Sequence, residues 1–174
     1  MKINLIYVSL MLCLLIVACN PPQDKPLTDE DKAEIKSEIT AIVDSIATSA
    51  NELRTDYFKK IYWNDDRFIG VDLTGAKGYD AYMKETEDMY ANMKSIDFME
   101  DKVSVVVFDD KTAVALFEGK AKGESKDGVT MNLNNFNASI VFRNVDGDWK
   151  VAYTHESAEQ EIVMPEVDST DIEM

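Results

Sequence analysis

The 174-residue chain carries 33 acidic against 18 basic side chains, a formal net charge of −15, while 45% of its residues are hydrophobic. Such a charge repels phosphate backbones and anionic headgroups, so nucleic-acid binding is disfavoured and the surface reads as solvated. The length allows one domain of ordinary size with a real core.

Met1-Lys2 is followed by an apolar run over residues 3–18, interrupted by Asn4, Tyr7 and Ser9. This is the pattern of a secretory signal segment, and it is short of the roughly 20 apolar residues that a spanning helix needs. The run closes on Ile16-Val17-Ala18-Cys19, which resembles the bacterial lipobox. That resemblance implies removal of residues 1–18, acylation of Cys19, and a cell-envelope location, lipid-anchored to a bacterial membrane on its extracytoplasmic face. Several acyl chains on one cysteine supply the multiple hydrophobic signals that stable anchoring requires. Cys13 leaves with the signal segment, so no disulfide is expected. Residues 19–27 then contain Pro21, Pro22 and Pro26 among polar neighbours, the composition of an extended tether.

Thr28 precedes Asp29-Glu30-Asp31, a helix cap followed by acidic residues that suit the helix dipole. Ile35, Ile39, Ile42, Val43, Ile46, Ala50, Leu53 and Tyr57 recur at three- and four-residue steps and predict a long amphipathic helix, with a break admitted near residues 49–51. Residues 53–63 either carry this helix on or restart it. A short strand is predicted over 68–73, ended by a loop at 74–78. Tyr79, Tyr82, Met83, Thr86, Met89, Tyr90 and Met93 then line one side of a second helix.

From Phe98 the period changes to two. Strands are predicted over 103–108, 112–120, 129–144 and 149–157, with turns at Asp109-Asp110-Lys111, Lys126-Asp127-Gly128 and Asp146-Gly147-Asp148. In the last strand the alternation puts Trp149, Val151, Tyr153 and His155 on one face, and Lys150, Ala152, Thr154 and Glu156 on the other. Residues 159–174 are acidic and contain Pro165, and read as a flexible tail.

Helices first, then a strand, another helix and long antiparallel strands predict an α+β domain over 28–158, its N-terminal helices packed on a curved antiparallel sheet. The order resembles the SnoaL-like branch of the nuclear transport factor 2-like superfamily. The residues that carry the resemblance are Phe68-Ile69-Gly70, Gly78-Tyr79-Asp80-Ala81-Tyr82, the run Val141-Phe142-Arg143-Asn144-Val145-Asp146-Gly147-Asp148-Trp149-Lys150-Val151, and the ending His155-Glu156-Ser157. It implies a cone-shaped fold and, in some members, a homodimer paired through the outer sheet face, where Asn135, Asn137 and Ser139 or Ala152 and Thr154 are candidates. It does not name a reaction, because one such cone hosts many chemistries.

An isomerase-type member needs a pocket carboxylate as base and hydrogen-bond donors for the developing oxyanion. The candidates are Asp72, Glu118, His155 and the tyrosines Tyr57, Tyr82 and Tyr153, and no acid and base pair stands out among them. Asp72 reads either as a pocket group or as an exposed strand-end carboxylate, and Glu118 as a charge on the sheet surface. His155 reads either as a proton-exchanging group at the pocket mouth or as a packed, hydrogen-bonded one. The methionine and tyrosine stripe of the second helix is either plain core or a pocket wall. One histidine and no mature thiol exclude the usual zinc clusters, and neither a calcium loop nor a phosphate-binding glycine loop is present. No metal or cofactor is therefore expected.

The expectation is a membrane-anchored binding module holding a small, largely apolar ligand without catalysis, in a pocket lined by Tyr57, Tyr82, Met89, Trp149, Tyr153 and His155. The alternatives are a small isomerase, dehydratase or hydrolase using His155 with Asp72 or a tyrosine, and a dimeric interaction module with a filled pocket.

Overall fold

A computed structural model describes residues 26–165. The expected signal segment, Cys19, and residues 166–174 of the expected tail lie outside the described residues.

Helix α1 (Asp29–Asn51) starts where the sequence indicates. The Thr28 hydroxyl accepts from the Asp31 amide at 3.1 Å, and the Asp31 carboxylate accepts from the Thr28 amide at 2.8 Å, forming a reciprocal cap. The helix ends at Asn51, Leu53 takes a left-handed turn (φ 55°), and a short α2 (Asp56–Ile61) restarts the spiral. Strand β1 (Ile69–Asp72) and the three-residue β2 (Gly75–Lys77) form a hairpin where only a loop was expected after Leu73. Helix α3 (Tyr79–Asn92) follows, and Met93, expected on its apolar stripe, is instead the first residue of β3 (Met93–Asp109).

Three further long strands complete the sheet: β4 (Thr112–Ser125), β5 (Thr130–Val145) and β6 (Asp148–Val163). The sheet order is β2-β1-β6-β5-β4-β3. The sheet is mixed rather than wholly antiparallel, because β1 runs parallel to β6 with Gly70 opposite Thr154. Strand β6 also continues past residue 157, pairing Val163 with Thr130, so residues 159–163 are sheet and not tail.

Bulges curve this sheet, each adding one residue to one strand and increasing its local bend. Strand β5 bulges near Asn135, whose φ of 49° is left-handed and whose carbonyl accepts from the Asn137 amide group at 2.7 Å. Strand β6 bulges at Ala152: Val141 pairs with Tyr153, but the next residue, Phe142, pairs with Val151. This single extra residue corrects the face assignment made from alternation. Trp149 and Val151 point into the core, whereas beyond the bulge Thr154 and Glu156 take the inner face and Tyr153 and His155 turn outward. Thr154 is accordingly 1% exposed and His155 is exposed.

The three helices close the concave side. Their core includes Ile39 and Val43 of α1, the ring cluster Phe58, Tyr62, Phe68 and Tyr82, and the inward row Ala113, Ala115 and Phe117 of β4. Small residues on the inner sheet face, among them Ala115, Ala121 and Ala138, leave space beneath the helices. The outer face carries the in-register row Val106, Val114, Val141, Tyr153 and Ile69.

Candidate functional site

The space under the helices is a cavity of about 480 Å³, within the range of small-molecule sites. Val43, Ile46, Ala47 and Ala50 of α1 form one wall, and Phe98, Phe117, Leu133, Phe136 and Ile140 of the sheet form the facing one. Phe98, Phe117 and Phe136 meet edge to face at centroid distances of 5.2–6.5 Å, which fixes that wall as one aromatic block. Tyr82, Met89 and Tyr90 of α3 line a third side, so this part of the methionine and tyrosine stripe borders the cavity.

Its polar end is built by β6, the β1–β2 hairpin and α3. Glu156 projects from the inner face of β6, in register with Ala138 and, one strand further, Phe117. The Tyr82 hydroxyl donates to Glu156 Oε1 at 3.0 Å, and among the described residues no other side chain donates to this carboxyl. Tyr82 reaches it because its ring lies against Gly70: a Cβ built at Gly70 would sit 2.3 Å from Tyr82 Cδ2. Tyr62 stacks on Tyr82 at a centroid distance of 5.7 Å. The glycine in β1 is therefore what allows the ring to sit where its hydroxyl meets the acid.

Burial pushes the Glu156 carboxyl up to about 7, aided by the nearby Asp72 charge and only partly offset by the Tyr82 hydrogen bond and by Lys77. The side chain is half-buried in the cavity wall, so its charge is partly desolvated while the carboxyl stays open to a ligand. Burial, together with the Glu156 charge, also holds the Tyr62, Tyr82 and Tyr90 hydroxyls well above the ordinary phenol range, so they stay protonated donors. Glu156 is thus balanced between charged and neutral forms near pH 7, beside hydroxyls that are not.

Asp72 also lines the cavity. Lys77 Nζ donates to both its oxygens, at 2.7 and 2.6 Å, and pairs with Glu85 Oε2 at 2.8 Å, joining β2 to α3. Burial tends to raise the Asp72 carboxyl, but the Lys77 and Thr74 hydrogen bonds outweigh it and hold it below the ordinary range. Among the described residues no cluster of three or more His, Cys, Asp and Glu side chains is arranged to hold a metal ion.

The residues expected in the pocket divide sharply. Tyr82 and Met89 line the cavity; Tyr57, Trp149, Tyr153 and His155 do not. Tyr57 packs partly buried against the core from α2. Trp149 is buried on the inner face before the bulge, where its indole N–H donates to Glu38 Oε2 at 3.1 Å. Tyr153 and His155 lie on the outer face, opposite Val141 and Ser139. Glu118 also faces outward and pairs with Lys102 at 3.7 Å. Glu156 was missed because strict alternation assigned it to the outer face. The available signal was the polar Thr154 and Glu156 pair following the apolar Trp149 and Val151 at the same spacing.

Solved structures share this architecture. A nuclear transport factor 2-like superfamily protein from Salmonella enterica serovar Typhimurium LT2 matches with a TM-score of 0.67 at 16% identity, over 82% of this chain and 99% of that one. A type 2 hexachlorocyclohexane dehydrochlorinase matches with a TM-score of 0.67 at 8% identity, over 82% and 99%. A type 3 hexachlorocyclohexane dehydrochlorinase from Novosphingobium barchaimii LL02 matches with a TM-score of 0.66 at 9% identity, over 78% and 94%. At these identities the likeness concerns the fold. No curated protein matches the chain. The SnoaL-like domain profile matches residues 39–160, from the middle of α1 to the cavity-lining end of β6, and the chain belongs to that family, on the α+β cone of the nuclear transport factor 2-like superfamily.

Proposed function

We propose that the domain is a binding module that holds a small, largely apolar molecule in its cone. The observation that carries this reading is the cavity of about 480 Å³, walled by aliphatic and aromatic side chains with its ionisable groups gathered at one end. Apolar walls contribute affinity through area removed from water, while the few polar groups fix orientation. The test is titration with the neutral apolar dye Nile red. Saturable binding at one dye per chain, lost in Ala138→Phe, supports the reading; an added ring at Ala138 projects into the cavity between Phe117 and Glu156. Absence of saturable binding, or binding unchanged in that variant, overturns it.

A second reading, proton-transfer catalysis, is favoured by one specific observation: the half-buried Glu156, raised to about 7, accepts from a tyrosine hydroxyl. An acid near neutrality suits both removal and return of a proton, and Tyr82 and Tyr62 supply donors beside it. Chemistry in this site would rest on Glu156 and Tyr82, since His155 lies on the opposite face of the sheet. Turnover of a bound carbonyl or hydroxyl compound, abolished by Glu156→Gln without loss of binding, identifies the enzyme.

The domain works at the extracytoplasmic face of a bacterial membrane, held through acylated Cys19. The Ile16-Val17-Ala18-Cys19 motif behind an apolar run supports this, and no described helix is long and apolar enough to cross a membrane. Cys19→Ala should abolish lipid labelling and membrane fractionation; unchanged fractionation contradicts the anchor. The apolar outer-face row, with Ile69 47% and Val106 55% exposed, supports pairing of two copies.

A further inference from the structure

Three side chains lining the cavity are ionisable in the ordinary range, and all three are carboxylic: Asp72, Glu85 and Glu156. Among the described residues no lysine, arginine or histidine lines it. Lys77, the cation at its polar end among the described residues, is committed to Asp72 and Glu85, and makes no hydrogen bond or ion pair with Glu156. Glu156 therefore has a tyrosine hydroxyl on one oxygen and no cationic partner among the described residues. An isolated carboxylate inside an apolar enclosure is unfavourable unless a positive charge joins it. Around it stand the rings of Tyr62, Tyr82 and Tyr90, and the wall beyond is Phe117 and Phe136. Aromatic faces attract ammonium groups, an effect that strengthens when water is excluded.

These features separate three kinds of ligand. A carboxylate or phosphate would place like charge against Glu156 and Asp72, with no free cation to compensate. A neutral alcohol or ketone would gain the apolar walls but leave Glu156, in its ionised form, without a counter-charge. An amine fills the cone with its hydrocarbon and neutralises the acid with its nitrogen. We propose that this site selects an amphiphilic organic cation, an apolar body carrying a protonated amine that pairs with Glu156. The proposal rests on the binding-module reading above and names the ligand class of that same cavity.

The test is displacement of Nile red at pH 7.5 by 4-phenylbutylamine, 4-phenylbutanol and 4-phenylbutanoate, which share a body and differ in the head. The amine is expected to displace the dye at a concentration at least ten-fold below the alcohol, and the carboxylate to be the weakest. In Glu156→Gln the amine should lose its advantage over the alcohol. In Glu118→Gln, which removes the same charge from the outer face, the advantage should persist, separating a local pair from the attraction of the net charge. Equal displacement by amine and alcohol, or an amine advantage retained in Glu156→Gln, overturns the cation assignment while leaving the binding module standing. Failure of the dye to bind overturns both.

Discussion

Replacing Glu156 with glutamine should make the domain markedly more stable at pH 8 and only slightly more stable at pH 5. The carboxyl is raised from 4.5 to about 7 by burial, so the folded chain keeps this proton to a higher pH than the unfolded chain does. Below about pH 4 both states are protonated and the group contributes nothing. Between about 4.5 and 7 the unfolded chain releases the proton first, and stability falls as pH rises; above 7 the whole handicap is present. At about 1.4 kcal/mol per pH unit, the displacement amounts to at most about 3.5 kcal/mol. Glutamine fills nearly the same volume, can still accept from Tyr82, and does not titrate. The depressed carboxyls, including Asp72, lose their contribution at lower pH and are common to both proteins, so they cancel in the comparison. Urea unfolding at pH 5 and pH 8 measures the difference. With a denaturant slope of roughly 1–3 kcal/mol/M, the variant's midpoint should move up by about 0.8–2.5 M relative to the wild type between the two values. Parallel pH profiles for the two proteins would refute the desolvation of a carboxyl without a cationic partner.

Gly70→Ala should destabilise the domain by about 1–3 kcal/mol, because its Cβ would lie 2.3 Å from the Tyr82 ring and force the ring off β1. The same variant should weaken dye binding, since Tyr82 and its bond to Glu156 move together; wild-type stability and affinity would contradict the packing. His155→Asn should change stability by no more than about 0.5 kcal/mol and leave dye binding intact, because the imidazole is exposed on the outer face. A loss above about 1 kcal/mol in thermal unfolding would mean that the Ala152 bulge is misplaced.

Much of the fold is legible in the chain. Thr28 and Asp31 announce a capped helix, the stripe from Ile35 to Ala50 gives its buried side, and the Asp-Gly-Asp turn at 146–148 gives the last hairpin. Two features were not. The β1–β2 hairpin rests on a three-residue strand, too short to leave a periodic signal. The parallel pairing of β1 with β6 joins segments more than eighty positions apart, which local pattern cannot reveal. The site was hidden by one residue: because side chains alternate with period two, the extra residue at Ala152 exchanges the faces of everything after it. His155, the conspicuous group in the sequence, is thereby moved out of the cone, and Glu156 is moved in.

That exchange of faces leads to the central claim, that the cone is a ligand site organised around Glu156. Native mass spectrometry of the domain, purified from cells that produce it, tests the claim most directly. The account predicts one small apolar molecule retained per chain and lost from Ala138→Phe; bare protein, with no mass added by apolar or amine probes, would contradict it.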